Sequence, residues 1–456
     1  MMSSKSKVNK KTFWNQIPAM RLILSGYLII ILVGSLLLFL PFATKGAGNT
    51  PFTDCLFTAT SATCVTGLIR YDTFTHWTLF GQIIILLMIQ IGGLGFMTMI
   101  LLVMIASGNK IGLSEKSLMQ DSISAPEIGS VKEMTKFIVG GSMMIEGIGA
   151  LLLSFYYIPK YGWQGLYMSV FHSVSAFCNG GFDLMGGITG ECSSMTGVET
   201  NLYVNLVLMA LIILGGLGFY VWKDLLNKRF HWKKFTLQTK LVLSISLFLV
   251  VFGALALFVT ECFGDMYEGY TWYNKLLSCF FQSVSARTAG FNSADLTKMS
   301  EGGLLVMICL MLVGGSSGST AGGMKTTTLW VLVASIGATL KRRKNVEAFG
   351  RRIDEDAPRL AACIFTYYLI GIITGTVIIS CIERLPVMTV LFETTSALAT
   401  VGITLGITGS LSMVSKLIIA FMMFCGRLGS ITVLLAFSPD MQKSSSVYPK
   451  EKIQIG

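Results

Sequence analysis

Charge is the first thing this sequence lacks. Of 456 residues only 13% are charged while 53% are hydrophobic, and the mean hydropathy is +0.68. Water-soluble domains carry about 25% charged residues. A chain with roughly half that polar surface is not a cytosolic enzyme, a secreted disulfide scaffold or a disordered protein; it reads as a polytopic membrane protein. Histidine is scarce as well, with three residues, and the ten cysteines are spread singly from Cys55 to Cys425 without a C-x-x-C pair. No zinc or disulfide framework is readable, so the cysteines read as small buried hydrophobes. Paired carboxylates, a nucleophile–histidine arrangement and a cofactor motif are all missing, which argues against an enzyme. No span carries the regularly spaced arginines of a voltage sensor. Despite this shortage of charge the chain is basic, with 35 Lys+Arg against 24 Asp+Glu and a net charge of +11.

What is present is a repeat. Four segments share F-x-x-x-S-A followed closely by Gly: Phe57 to Gly67, Phe171 to Gly181, Phe281 to Gly290 and Phe392 to Gly402. They recur roughly every 110 residues, and a fixed period of this kind signals tandem copies of one unit. A second Gly-rich pattern follows each: Gly92-Gly93-Leu94-Gly95, Gly215-Gly216-Leu217-Gly218, Gly314-Gly315-Ser316-Ser317-Gly318 and Gly426-Arg427-Leu428-Gly429. The unit boundaries fall at residues 1–109, 110–230, 231–345 and 346–456.

Each unit opens with an apolar run (Leu22–Leu40, Phe137–Phe155, Leu241–Val259, Leu360–Cys381) and closes with another (Leu79–Ile105, Leu202–Trp222, Leu304–Val333, Ser412–Phe437). These meet the roughly 20 residues a spanning helix needs. The first follows a basic stretch, as in a signal peptide, but it is long enough to span and is the first of a series. The Ser/Thr-rich run between them, roughly a dozen residues, suits a re-entrant segment, tolerated only where it is buried in protein or lines water. The expected fold is all-α, eight transmembrane helices in four helix–pore loop–helix units around a pseudo-fourfold pore.

Basic residues cluster at the unit boundaries: Lys5, Lys7, Lys10, Lys11 and Arg21; Lys110, Lys116, Lys132 and Lys136; Lys223 to Lys240; Lys341 to Arg359; and Lys443, Lys450 and Lys452. Boundaries share one side only if each unit crosses an even number of times, which agrees with the repeat. The positive-inside rule then makes the boundaries and both termini cytoplasmic, and the loops open outward. The basic segments read either as topology signals and anchors to anionic lipid or as a docking surface for an acidic partner; nothing in them points to nucleic acid.

Four loops converging on one axis offer backbone carbonyls in place of a cation's water shell, with pore-helix C-termini aimed at it. Gly67, Gly181, Gly290 and Gly402, with neighbouring Thr66, Gly180, Ala289 and Val401, are the candidate filter, glycine permitting backbone conformations closed to other residues. Glu393 and Asp183 are near the loops but are not repeated, so no carboxylate ring of the divalent kind exists and the ion is expected to be monovalent.

The segments SATCVTGL, SAFCNGGF, SARTAGF and SALATVGI, with GGSSGSTAGGMKTTT in the third unit, resemble the Trk/Ktr/HKT superfamily of potassium transporters over essentially the whole chain. With eight spans the chain looks most like the bacterial Ktr membrane subunit. The resemblance implies K+ coordination at Gly67, Gly181, Gly290 and Gly402, and Gly67 (Ser in some Na+-preferring relatives) favours K+. It also implies a homodimer, Na+-stimulated uptake, and a cytoplasmic RCK/KTN-type regulatory ring that binds nucleotide (ATP/ADP or NAD), since no nucleotide site is readable in this chain.

The stretch Gly314, Gly315, Ser316, Ser317, Gly318, Ser319, Thr320, Ala321, Gly322, Gly323 interrupts an otherwise apolar span. A phosphate loop is a poor fit, because Met324 separates Gly323 from Lys325-Thr326 and no strand precedes it. A packing kink competes with the gate below the filter that the family implies. Only this second helix turns polar, which favours the gate. Arg427, a charge at membrane depth, either snorkels, pairs with a buried acid such as Glu146, or, as the resemblance implies, faces the gate. Arg287 reads as an anchor of the third loop, Lys325 to Thr328 as an anchor of the interruption or a return to helix, and His172 as a satisfied buried imidazole. A self-sufficient monovalent cation channel is the alternative function. A rocking secondary transporter is disfavoured, because the units share one orientation.

Overall fold

Long apolar runs can satisfy their main chain only internally, and here they do so as helices. The computed structural model describes residues 19–46, 50–95, 98–99, 101–102, 131–343 and 345–429. Of the basic clusters, Lys5, Lys7, Lys10, Lys11, Lys110, Lys116, Lys344, Lys443, Lys450 and Lys452 lie outside these residues.

The main helices are α1 (Ala19–Leu38), α2 (Phe52–Thr63), α3 (Leu79–Leu94), α4 (Val131–Phe177), α5 (Leu202–Leu217), α6 (Phe219–Asn227), α7 (Leu237–Glu261), α8 (Trp272–Ser285), α9 (Glu301–Leu312), α10 (Thr326–Leu340), α11 (Ala357–Glu383), α12 (Val387–Leu398) and α13 (Met413–Leu428). Strand is confined, among the described residues, to β1 (Glu347–Ala348) and β2 (Arg351–Arg352), paired antiparallel. Helix α4 has two arms, because Gly162 takes a non-helical conformation (φ 58°, ψ −135°). The chain folds back there, bringing Ser173 Oγ of the second arm within 2.6 Å of the Glu146 carbonyl of the first. The corresponding contact in the third unit joins Ser283 Oγ to the Val250 carbonyl at 2.9 Å.

Apolar side chains cover the outside of the helices as well as filling the core, and the short helices bury hydroxyls. Helix α7 turns Leu247, Phe248, Phe252 and Val259 outward, while Ser61, Ser285 and Ser396 on the short helices and Ser175 in the second arm of α4 are fully buried. Such apolar surfaces mark contact with lipid or partner. Among the described residues, α4, α7 and α11 are long and apolar enough to cross a membrane, as is the α5–α6 pair despite its 94° bend. The ten cysteines are unpaired.

The helices after the glycine turns start alike. Thr78, Asn201, Ser300 and Ser412 cap α3, α5, α9 and α13, each side chain accepting an N–H three residues on. They depart from the continuous spans expected of Leu79–Ile105, Leu202–Trp222 and Ser412–Phe437. Gly95, Gly218 and Gly429, at φ 87°, 92° and 83°, end α3, α5 and α13. The interruption is thus not peculiar to the third unit, where α9 and α10 are separated by residues 313–325. A left-handed glycine breaks a helix without lowering hydropathy, which is why apolarity alone reads through it.

The fold-back in α4 depends on close backbone contact: a methyl group at Gly165 would strike the Tyr157 carbonyl, whereas at Gly140 it would meet open space. Gly165→Ala is expected to destabilise the protein by about 1–3 kcal/mol, read as a lower thermal midpoint in detergent. Gly140→Ala should leave the midpoint unchanged or slightly raised.

Candidate functional site

The S-A motif closes four equivalent turns. Past the ends of α2, α4, α8 and α12, the Ser61, Ser175, Ser285 and Ser396 carbonyls accept from Thr66 N (2.8 Å), Gly180 N (2.6 Å), Ala289 N (2.9 Å) and Val401 N (2.8 Å). The hydroxyls serve the same turns: Ser61 and Ser396 accept from Gly67 N and Gly402 N at 3.1 and 3.0 Å, and Ser175 and Ser285 donate to the carbonyls of Phe182 and Phe291. The alanines beside them, Ala62, Ala176, Ala286 and Ala397, have no exposed surface and let the turns pack against their neighbours.

Each turn contains two residues at positive φ. The signature glycines lie at φ 92° (Gly67), 71° (Gly181), 83° (Gly290) and 90° (Gly402). Two residues earlier, Val65, Asn179, Thr288 and Thr400 lie at 53°, 59°, 70° and 52°. Holding a non-glycine residue there costs roughly 1–3 kcal/mol, a strain that persists only where surrounding structure enforces it. These four positions carry no mark of their own in the sequence. Their type varies, so only their constant offset of two residues from the signature glycine distinguishes them.

The four turns meet. A Cβ built on Gly67 would lie 2.9 Å from the Gly180 carbonyl oxygen and 2.9 Å from Gly181 Cα. On Gly181 it would lie 3.0 Å from Gly290 Cα and 3.1 Å from the Ala289 oxygen, and on Gly290 2.8 Å from the Val401 oxygen. On Gly402 it would strike the Thr66 oxygen. Each glycine therefore faces the carbonyl of the next turn, the order around the ring follows the order along the chain, and no side chain fits between. Such a ring offers neutral oxygen dipoles, which suit a monovalent cation that sheds its water. On one side it opens into a cavity of about 740 Å³ lined by all four glycines and by Asp183, Asp265, Glu268 and Asp295.

On the other side lies the loop between α9 and α10. Methyl groups at Gly322 and Gly314 would meet Thr400 and Thr288 of the fourth and third turns. Ser316 N and Thr320 N donate to the Gly216 and Gly215 carbonyls at 2.9 and 3.2 Å, Phe219 N donates to the Gly318 carbonyl at 2.9 Å, and Thr320 Oγ1 donates to the Phe177 carbonyl at 3.0 Å. Ser319 Oγ donates to the Ser316 carbonyl and Ser317 Oγ approaches Thr327 Oγ1, so the loop is also bound to itself and to α10. Gly323 (φ 64°) lies against the Ala399 carbonyl, and Gly315 against Ala321. Lys325 Nζ ties the loop's end to the Ala321 carbonyl at 2.8 Å.

Arg427 donates to the carbonyls of Thr320, Gly92 and Gly93, bridging the loop and α3. It is not the partner of Glu146, whose carboxylate instead accepts from Gln90 Nε2 at 3.0 Å and from Cys178 Sγ. Arg287 does not face the ring; it donates to Ser246 Oγ at 3.1 Å and so fastens the third turn to α7. His172 Nε2 accepts from Leu184 N at 3.0 Å in a fully buried setting. Asp183 accepts from Met185 N, and Glu393 from the hydroxyls of Thr404 and Thr408.

The chain has clear relatives. Residues 28–447 match the family described as TrkH, cation transport protein. The chain is 39% identical to the potassium/sodium uptake protein NtpJ of Enterococcus hirae, covering 98% of this chain and 100% of that one. It is likewise 39% identical to the Ktr system potassium uptake protein B of Bacillus subtilis, with both chains covered completely. The crystal structure of the potassium transporter TrkH from Vibrio parahaemolyticus shares the fold, with a TM-score of 0.72 over 96% of this chain and 87% of that one at 16% identity. The relatives and the apolar helices together make it a multi-pass membrane transporter and not an enzyme. The ring of turns is thus carried by a chain that belongs, over nearly all of its length, to the TrkH family of cation transport proteins.

Proposed function

We propose that this chain takes up potassium across the cell membrane as the ion-translocating subunit of a Ktr-type system. The observation that carries the reading is the convergence of Gly67, Gly181, Gly290 and Gly402 on one another, each against the carbonyl of the neighbouring turn. In this reading Thr66, Gly180, Ala289 and Val401, with the four glycines, form a selectivity filter whose oxygens replace the water around K+. Relatives described as potassium uptake proteins support the choice of ion.

The arrangement in the membrane is eight spans in four units: α1 and α3, the first arm of α4 with α5–α6, α7 with α9–α10, and α11 with α13. The recurring caps and glycine breaks support it. The cavity above the ring faces outside, where its acidic side chains concentrate cations. Exposed Arg351 and Arg352 of the β1–β2 hairpin, with Lys341 and Arg342, then face the cytoplasm together with both termini. That basic surface is where a nucleotide-binding (ATP/ADP or NAD) regulatory ring docks, as a subunit described by the word "system" suggests. The transporter works as a homodimer with one pore per protomer. Na+ is the coupling or activating ion, a role in keeping with a relative whose description includes both ions.

The loop 314–323 closes the path beneath the filter, and Arg427 holds it shut through the Thr320 carbonyl while placing a positive charge below the ring. Opening requires these hydrogen bonds to be exchanged for water, which a regulatory partner can drive by pulling on α10.

Two experiments test the reading. In a K+-uptake-deficient strain supplied with the chain and a regulatory subunit, wild type should restore growth in low K+. Gly290→Ser, whose Cβ would lie 2.8 Å from the Val401 oxygen, should lower K+ uptake by about tenfold or more. Failure of wild type to support growth would count against potassium. In proteoliposomes, Arg427→Ala and deletion within residues 315–322 should each raise cation flux several-fold at equal protein density. Unchanged or lower flux in both would remove the gate assignment.

A further inference from the structure

A charged cluster at the rim of the cavity is not explained by the ring or the loop. Asp54, in the first turn of α2 and 3% exposed, accepts hydrogen bonds from two side chains and forms an ion pair with a third. Arg70 Nε lies 2.8 Å away, Tyr71 Oη 3.0 Å and Lys416 Nζ of α13 3.0 Å. One carboxylate thus faces two cations, and the cluster keeps a net positive charge. Lys416 is a buried residue of α13, whereas the Arg70 side chain is 25% exposed and lines the cavity together with Gly67 and Gly402. The guanidinium is held on a second side, where it donates to the Gly409 carbonyl. A cationic group on the wall of a path that cations follow is costly to their approach unless it is neutralised and kept aside.

We propose that Asp54 is a positioning residue that pins the Arg70 guanidinium to the cavity wall, and that Arg70, three residues from Gly67, tunes the external cation concentration at which translocation half-saturates. The inference rests on the cation-translocating reading above. Neutralising Asp54 leaves Arg70 with the Gly409 carbonyl and the face of the Tyr71 ring, 5.0 Å away, raises the net charge of the rim by one, and loosens the guanidinium's hold on the wall so that it can swing over the ring. The effect is electrostatic, so added salt screens it within about 10 Å at 0.1 M.

The test is Rb+ uptake into proteoliposomes by wild type, Asp54→Asn, Arg70→Gln and the double variant. Uptake is measured at low ionic strength and again with added N-methylglucamine chloride. Asp54→Asn is expected to raise the half-saturating Rb+ concentration about threefold to tenfold with the maximal rate kept. Arg70→Gln alone should lower it about twofold, and adding Arg70→Gln to Asp54→Asn should return it to the wild-type value or below. All of these differences should shrink in added salt. An unchanged value for folded Arg70→Gln, or a double variant as impaired as Asp54→Asn, overturns the inference. Because Lys416 also depends on Asp54, Asp54→Asn can fail to fold, in which case Arg70→Gln and its salt dependence decide alone. A wild type that takes up no Rb+ overturns the translocation reading and this inference with it.

Discussion

Main chain that is not helical must find hydrogen bonds where there is no water to supply them, and the rest of this structure is arranged around that requirement. At each glycine turn the chain leaves a helix and runs extended through the protein interior. One serine closes the turn with its carbonyl and hydroxyl together, as Ser61 does for Thr66 N and Gly67 N. The serine must be small and polar, the residue after it smaller still, and the glycine must take a left-handed conformation in contact with its neighbour. The recurring motif is the chemical statement of these demands. The carbonyls of Thr66, Gly180, Ala289 and Val401 are not used in closing the turns, and each lies against the glycine of the neighbouring turn.

The same requirement explains why breaks and cross-connections occur together. A helix that stops inside the protein leaves its last carbonyls without intrahelical donors. Helix α5 stops at Gly218, and its orphaned Gly215 and Gly216 carbonyls accept from Thr320 and Ser316 of the loop between α9 and α10. Helix α3 stops at Gly95, and its Gly92 and Gly93 carbonyls accept from Arg427. The broken helices, the polar loop and Arg427 are therefore one hydrogen-bonded assembly, in which each defect supplies what another lacks. This accounts for a charged residue in the last turn of α13 without any carboxylate beside it.

Much of this was legible in the sequence and some was not, for identifiable reasons. The short helices and the glycine turns that end them follow a motif that recurs roughly every 110 residues. Val65, Asn179, Thr288 and Thr400 are of three different types, none of them glycine, so their left-handed conformations leave no trace in composition. The ends of α3, α5 and α13 were hidden because glycine interrupts a helix without interrupting an apolar run. Arg427 was recognisable as singular, but a guanidinium finds its partners through tertiary structure, and the available acid, Glu146, was already bonded to Gln90. Asp54 and Lys416 are separated by 362 residues and joined only when the first and last units come together.

The residues preceding the four glycines are Thr66, Gly180, Ala289 and Val401, four different types around one ring. In an assembly of identical subunits any substitution in such a ring is made four times over, and its effect is compounded accordingly. A single chain carrying all four turns can change one quarter at a time. Its ring can acquire a graded series of properties by single steps, each small enough to leave the other three turns in place, and adjacent turns can come to do different work.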